Sequence, residues 1–487
     1  MAMAMFVLRR MMVALVVGTT AMMGLGETSA MAQRHSLRSI SLSEPPSAIS
    51  ANLAQPQTAL VAASSDSVSE NAVADPVVPW QPEIGTWQPV PSRREDYGKI
   101  KVVWLEGTPY EMGYQHGTLL QDEIASLGQE VIDSVNFMGR GFALGRLSRR
   151  RSFPGVEEEC QGMVDAIPEV GLTLDGCMVL AMGDVLQEYL TYLVPTVLFN
   201  DGCAHFIASG NATADGRMYH GWTLDNNASP MPYWIENPTI LVRQPDEGIP
   251  HAFITIPGVV WPNAGFNAEG IIVSNNTSHP KDYEDLALQG KSTVQLMGQI
   301  AQYASSYDEA YAIMESHDRM RSNLVIVSDA ASEQAAVFEL LGREMGVRTL
   351  SDDGLLYMTT HFADPDVVGR DSSNESSFNR FQSFEQMLEP DGTRSRYGSI
   401  TPEVIVEILR DRTHPKTGEV SSLDVFDDNA SIGGNGSLRQ VVFDPEGLRF
   451  WLAAGEVPIP ENPFTCFSLG EMLNLPNATA CPSPAID

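Results

Sequence analysis

One cysteine of the 487-residue sequence, Cys203 in FNDGCAHFIASG, sits behind Asp201-Gly202 and directly before an apolar run. A thiol attacks as thiolate, so its chemistry depends on which base can take its proton. Asp215-Gly216 in NATADG is a strong turn dipeptide between two strand-like runs, CAHFIASG and RMYHGWTLD, so the chain reverses within 211–216. Antiparallel partners sum to twice the turn centre, which sets residue 203 opposite about 221–228 and brings Asp225 back beside Cys203. A carboxylate alone discourages thiolate formation. His205 shares a strand face with Cys203 by the period of two, but two residues along one strand is a poor geometry for a nucleophile and its base. The other available base is the cysteine's own α-amine, released if the chain is cut between Gly202 and Cys203. A free α-amine titrates at about 7.7–8.0, close to where a general base is most effective. The thiol could make that cut itself by attacking the Gly202 carbonyl, forming a thioester that water opens; glycine leaves that carbonyl uncrowded.

The elements that must hold this cysteine change character at its position. Before it the pattern is helical: Thr108, Pro109 and Glu111 form a capping box with proline at the first helical position, and Met112, His116, Leu119, Leu120, Leu127, Val131 and Val135 recur at helical spacing. Further helices are expected near 155–167 and 175–190. After Cys203 the period is that of strands, in TILVRQ, HAFITIPG, GIIVSN, NLVIVSD, AAVFEL, MGVRTL, LLYMTTHF, LRQVVFD and RFWLAAG, with helices at 291–315, 376–388 and 402–411. Many antiparallel strands interrupted by a few helices predict an α+β architecture with helices packed on sheet faces.

The remaining candidates are plainer. Cys160 shares an apolar helical face with Val156, Met163, Val164 and Ile167 and reads as a small buried core residue; Cys177 reads likewise. Cys466 and Cys481 lie close together in a Pro-rich tail and suit a disulfide in an oxidising compartment, and the odd total leaves one thiol outside any disulfide, with Cys203 the candidate. His116 fits a packed helix face. His220, His251, His279 and His361 are scattered without metal-ligand spacing, so no metal or other cofactor is expected. The formal charge of −32 argues against nucleic acid or an anionic membrane as partner.

Residues 1–32 carry Arg9-Arg10, an apolar stretch and the small-x-small site Ala30-Met31-Ala32, the pattern of a signal peptide, so the protein is expected to be exported, periplasmic or secreted, with no integral membrane span after signal removal. The Ser/Ala/Pro-rich residues 33–95 read as a disordered spacer that contributes nothing to the fold. The expected organisation continues with a helical segment over 96–202, a strand-rich segment over 203–470 and an irregular tail over 471–487.

Six stretches, LEGTPYEMGYQHGTLL, DGCAHF, MYHGWTLD, GFNAEGIIVSNN, TTHF and LRQVVFDP, resemble in the same order the isopenicillin-N acyltransferase family. That family is a branch of the cysteine N-terminal nucleophile (Ntn) hydrolases, similar to acid ceramidase-like amidases and choloylglycine hydrolases. The resemblance spans about 97–467. It implies a four-layer αββα sandwich preceded by a helical pro-segment, made as a precursor that cleaves itself before the nucleophile, its two fragments staying associated. It further implies that Cys203 is nucleophile and, through its amine, base; that Asp225 orients the amine; that Asn276 or its neighbour Asn275 lines the oxyanion hole; and that Arg380 lies near the nucleophile. Two places depart from the pattern: Trp222-Thr223 stands where relatives carry Arg-Asn, and Thr360 stands for Asn. Trp222, Thr360 and His361 are then expected to meet the substrate, with Trp222 making the pocket more apolar.

The function expected is that of an enzyme, a self-processing hydrolase or acyltransferase that takes the acyl group of small N-acylated amides through a thioester on Cys203. The alternatives are a lipid amidase or phospholipase B-like hydrolase on the same fold, and an inactive binding protein on that fold.

Overall fold

The computed structural model describes residues 87–183, 202–225 and 232–487, apart from 279, 283–284, 286, 288, 373–374, 424–430 and 477. The chain divides into two units, Met1–Val77 and Val78–Asp487, and all described residues lie in the second. The expected signal peptide, most of the spacer, the end of the 175–190 helix, Asp201 and His279 lie outside the described residues.

The strands are β1 (Arg93–Tyr97), β2 (Ile100–Gly107), β3 (Ala204–Gly210), β4 (Gly216–Asp225), β5 (Thr239–Pro245), β6 (His251–Thr255), β7 (Ala264–Asn267), β8 (Ile271–Thr277), β9 (Asn323–Asp329), β10 (Gln334–Leu340), β11 (Met345–Thr349), β12 (Leu355–Met358), β13 (Ser437–Asp444), β14 (Arg449–Ala454), β15 (Phe464–Ser468) and β16 (Ala485–Ile486). Among the described residues they form a nine-stranded sheet, β1-β2-β5-β6-β7-β8-β9-β10-β11, and a seven-stranded sheet, β12-β3-β4-β13-β14-β15-β16. All pairings between these strands are antiparallel except β2 with β5.

Strand alternation assigns the layers. Val103 and Leu105 of β2, with Ile271 and Val273 of β8, pack against helices α1 (Pro109–Leu119), α2 (Gln121–Ala125), α3 (Gln129–Gly141), α4 (Leu144–Arg151), α5 (Val156–Ala166) and α6 (Leu174–Leu180). The intervening residues, Val102, Trp104 and Ile272, turn inward and meet Trp222, Val441 and Phe443 of the second sheet. The outer face of that sheet, with Ala204, Phe206 and Val442, is covered by α10 (Glu375–Leu388) and α11 (Pro402–Leu409). The helices between them in sequence are α7 (Pro232–Glu236), α8 (Thr293–Tyr303) and α9 (Tyr307–Glu315), and the last two also pack on the first sheet. The architecture is therefore the four-layer αββα sandwich, because each sheet is apolar on both faces and must be covered twice.

Small residues explain the closeness of α1 to α5. A Cβ on Gly113 would lie 1.9 Å from the Glu159 carbonyl oxygen, and one on Gly162 would lie 2.0 Å from that of Tyr110. The capping box at Thr108 forms as the sequence predicts. The helical pattern that follows it breaks into three pieces, and the third starts after Gly128 at φ +85°, a backbone only glycine adopts without strain.

Three expectations need correction. Arg93–Tyr97, partly inside the expected spacer, is an edge strand held by backbone pairing to β2; its sequence, RREDY, has no apolar alternation to announce it. Further upstream, Trp87 donates its indole N–H to the Leu473 carbonyl at 2.7 Å, so the end of the spacer does contribute to the fold. Cys160 and Cys177 are bonded to each other, since α5 and α6 bring their Cα atoms to 5.7 Å, a proximity that their separate apolar helix faces did not reveal. The tail is likewise not wholly irregular, for Cys466–Cys481 ties it to β15 and β16 pairs there.

Candidate active site

Cys203 immediately precedes β3 and Asp225 closes β4, so both stand at the open end of one hairpin. The register Ala204↔Thr223 and His205↔Trp222 sets these two ends side by side, within the range that the turn arithmetic predicts. The Asp225 carbonyl accepts the Gly202 N–H at 3.3 Å and stands 3.7 Å from Cys203 Sγ. One backbone oxygen thus holds both residues that flank the Gly202–Cys203 bond. Cys203 is buried and lies outside both disulfides.

Two donors from other layers converge on the Cys203 carbonyl oxygen. Asn276 of β8 reaches it across the sandwich with Nδ2 at 3.2 Å and also donates to the Thr359 carbonyl at 3.1 Å. Arg380, on the first turns of α10, donates to it through Nη1 and donates through Nη2 to Thr360 Oγ1 at 3.0 Å. Strand alternation decides between the two asparagines. Ile272 and Ser274 face the second sheet and Ile271 and Val273 face the helices, so Asn276 enters the space between the sheets and Asn275 does not.

Asp225 is fully buried with few donors. Its Oδ1 accepts the Thr223 hydroxyl at 2.7 Å, while Oδ2 has no hydrogen-bond partner. Burial pushes its carboxyl up to about 7, against the smaller opposing pull of the Ser437 and Thr223 hydroxyls and the charge of Arg380. Ser437 was not singled out in the sequence, and Thr223 only as part of the Trp222-Thr223 departure, although its place two residues before Asp225 on one strand face carried the signal.

The other candidates are placed differently. His205 Nδ1 lies 3.0 Å from Ser274 Oγ and 3.3 Å from His220 Nε2, and burial, then the neighbouring His220, holds its imidazole well below the ordinary value. It is a neutral ring in a buried polar chain. Trp222 is fully buried between the sheets, stacked on His205 with centroids 5.6 Å apart, which is the position of a core ring and not of a pocket wall. His361 Nδ1 lies 2.7 Å from Ser377 Oγ and its ring is flanked by Phe378 and Phe381; burial, then Arg380 and Arg348, lowers it to about 4. It clamps the 359–361 segment to α10. His116 is packed as its helix face predicts and accepts the Gly258 N–H at 3.0 Å. Among the described residues, no group of His, Cys, Asp and Glu is arranged to hold a metal ion, and no helix is long and apolar enough to cross a membrane.

Residues 224–456 match the family described as acyl-coenzyme A:6-aminopenicillanic acid acyl-transferase. The resemblance to that family holds. The matched stretch contains Asp225, Asn275, Asn276, Thr360, His361 and Arg380, and it begins after Cys203. An uncharacterized protein of Archaeoglobus fulgidus is 25% identical over 409 residues, 74% of this chain; the chain spans 64% of that relative's length. Among solved structures, a Caenorhabditis elegans N-acylethanolamine-hydrolyzing acid amidase ortholog is 14% identical, with a TM-score of 0.36 over 53% of this chain and 96% of its own. A mutant of the conjugated bile acid hydrolase from Clostridium perfringens is 11% identical, with a TM-score of 0.27 over 57% of this chain and 99% of its own.

Proposed function

We propose that the protein is a self-processing cysteine hydrolase of the Ntn type, cutting its own chain before Cys203 and then cleaving small N-acylated amides. The observation that carries this reading is Asp225, whose backbone carbonyl meets the residues on both sides of the Gly202–Cys203 bond and whose buried carboxylate leaves Oδ2 unpartnered. A buried acceptor without a donor is costly, and an ammonium released at residue 203 would satisfy it.

In the self-processing step Cys203 Sγ adds to the Gly202 carbonyl carbon, the carbon–nitrogen bond breaks, and the thiol proton passes to the departing amine. Water then opens the thioester, leaving a Gly202 carboxylate and a free thiol. In turnover the α-amine takes the thiol proton as Sγ attacks the substrate carbonyl and returns it to the leaving amine; water releases the acyl group. Asn276 supplies a donor toward the developing oxyanion, and Arg380 supplies positive charge at the same residue. Trp222 and Thr360 do not oppose the reading, because the first is packed in the core and the second is an acceptor for Arg380. Export through the 1–32 segment fits the two disulfides, which persist in oxidising compartments.

Intact-mass analysis of purified protein tests this directly. The wild-type chain is expected to split between residues 202 and 203 and Cys203→Ala to remain whole and to cleave none of a panel of N-acyl amino acids, β-lactams and fatty acid amides. A wild-type chain that stays whole, or a Cys203→Ala chain that splits, overturns the self-processing step.

A further inference from the structure

A second fully buried cation at the same end of the sandwich takes no part in the steps above. Arg439 of β13 donates through Nη1 to the Thr255 carbonyl, 2.7 Å away on β6 of the opposite sheet, and its guanidinium carbon stands 5.4 Å from the centre of the Trp234 ring. Its Nε and Nη2 are buried without a hydrogen-bond partner. Burial alone lowers this guanidinium to about 9, with no carboxylate acting in the other direction. The contrast with Arg243 is sharp: that side chain, also buried, meets both oxygens of Glu159. A buried charge left without a counter-charge is strongly destabilising, so a site that keeps one is built for something it meets later.

The register relates Arg439 to the nucleophile. Ala204 pairs with Thr223, so Cys203 stands opposite Leu224, and Leu224 pairs with Arg439. The three residues occupy one transverse row of the sheet. Its inner side is marked by Leu224, which packs between the sheets, and by the reach of Arg439 to β6. Two strand spacings separate Cys203 from Arg439, about 10 Å between backbones. Past Thr255 the chain continues into Ile256, Val259 and Trp261, which pack with Tyr233 and Trp234 as an apolar cluster.

We propose that Arg439 binds a carboxylate of the substrate, so that the amides opened at Cys203 are anionic, carrying a carboxylate several bonds from the scissile carbonyl. Nε and Nη2 share one edge of the planar guanidinium and can take both oxygens of a carboxylate at once, and the apolar cluster receives the uncharged part of the molecule. The inference rests on the amidase reading for its catalytic half and on Arg439 itself for its binding half.

The test compares wild type with Arg439→Met and Arg439→Lys, using N-phenylacetyl-β-alanine, glutaryl anilide and the methyl ester of each. The first acid carries its carboxylate on the amine side and the second on the acyl side. Binding of benzoate is followed in parallel by tryptophan fluorescence, and the extent of the 202/203 cut reports folding. Wild type is expected to prefer one acid over its ester by roughly 10- to 100-fold in kcat/KM. Arg439→Met is expected to lose that preference and benzoate binding while still cutting itself, and Arg439→Lys to keep part of both. Equal acid-to-ester ratios and equal benzoate affinities in wild type and Arg439→Met overturn the proposal and leave the amidase reading standing. Benzoate binding that depends on Arg439 in a protein that cleaves no amide upholds the anion site and removes the amidase reading. If Arg439→Met does not fold, a wild type with neither acid preference nor saturable benzoate binding still overturns the proposal.

Discussion

Asp225 and Asp444 are both buried aspartates at strand ends in the β4–β13 pair, and the protein treats them in opposite ways. At the turn end, Asp444 is met by Arg217, by the Gly447 N–H at 3.0 Å and by two nitrogens of Arg449 at 3.0 and 2.6 Å. At the open end, Asp225 meets hydroxyls alone, those of Thr223 and Ser437, and its Oδ2 has no hydrogen-bond partner. The first arrangement neutralises a carboxylate for good and holds a hairpin. The second leaves one poised to respond to a proton or an ammonium, which is the property a processing site needs and a structural pair does not.

Substitution of each aspartate breaks the comparison most directly. On the proposed function, Asp225→Asn is expected to lower the rate of amide cleavage by about 10²–10⁴-fold, because it removes the group proposed to orient the amine base, while leaving the melting temperature unchanged or raised. Asp444→Asn is expected to do the reverse: near-normal kcat with a loss of about 1.5–3 kcal/mol in denaturant unfolding, as Arg217 and Arg449 lose their shared acceptor. If both variants lose stability equally, the contrast fails. The asparagine pair sharpens it across the sandwich. Asn276→Ala is expected to cost about 10²–10³-fold in kcat, and Asn275→Ala, on the opposite side of the same strand, to leave kcat close to wild type.

A smaller effect separates the two carboxylates by pH. Burial raises Asp225 to about 7 in the uncut chain, above its value of about 3.9 when unfolded, so the folded chain holds a proton that the unfolded chain has lost between those limits. Stability contributed by this group therefore falls as pH rises from about 4 to about 7. The uncut Cys203→Ala chain is expected to melt higher at pH 5 than at pH 7.5, and the difference is expected to shrink when Asp225→Asn is added. The smallest effect on activity is expected from Cys160→Ala with Cys177→Ala, which opens a loop of sequence separation 17 and costs about 3 kcal/mol of stability with cleavage at 202/203 intact.

Much of the site was legible because its parts are local. The turn at Asp215-Gly216 places Asp225 beside Cys203 by counting alone, and the register bears this out with Ala204↔Thr223. The α+β class was legible from the change of period at Cys203, and the four layers from the family resemblance. The expected helix over 291–315 appears as Thr293–Tyr303 and Tyr307–Glu315, interrupted where Ser306 caps the second piece. The edge strand Arg93–Tyr97 was not legible, since its stability comes from backbone pairing and not from an apolar pattern.

The sequence by itself determined the hairpin, the identity of the nucleophile candidate and the α+β class, because turn chemistry and hydrophobic period act over a few residues; the four layers followed from the family resemblance. Only the tertiary structure decided which asparagine meets Cys203, that Trp222 belongs to the core, that Cys160 and Cys177 are joined, and that Arg439 stands in the row of Cys203 with two donors unused. Each of these depends on contacts between segments tens to hundreds of residues apart, and strand register, not composition, sets which side chains meet.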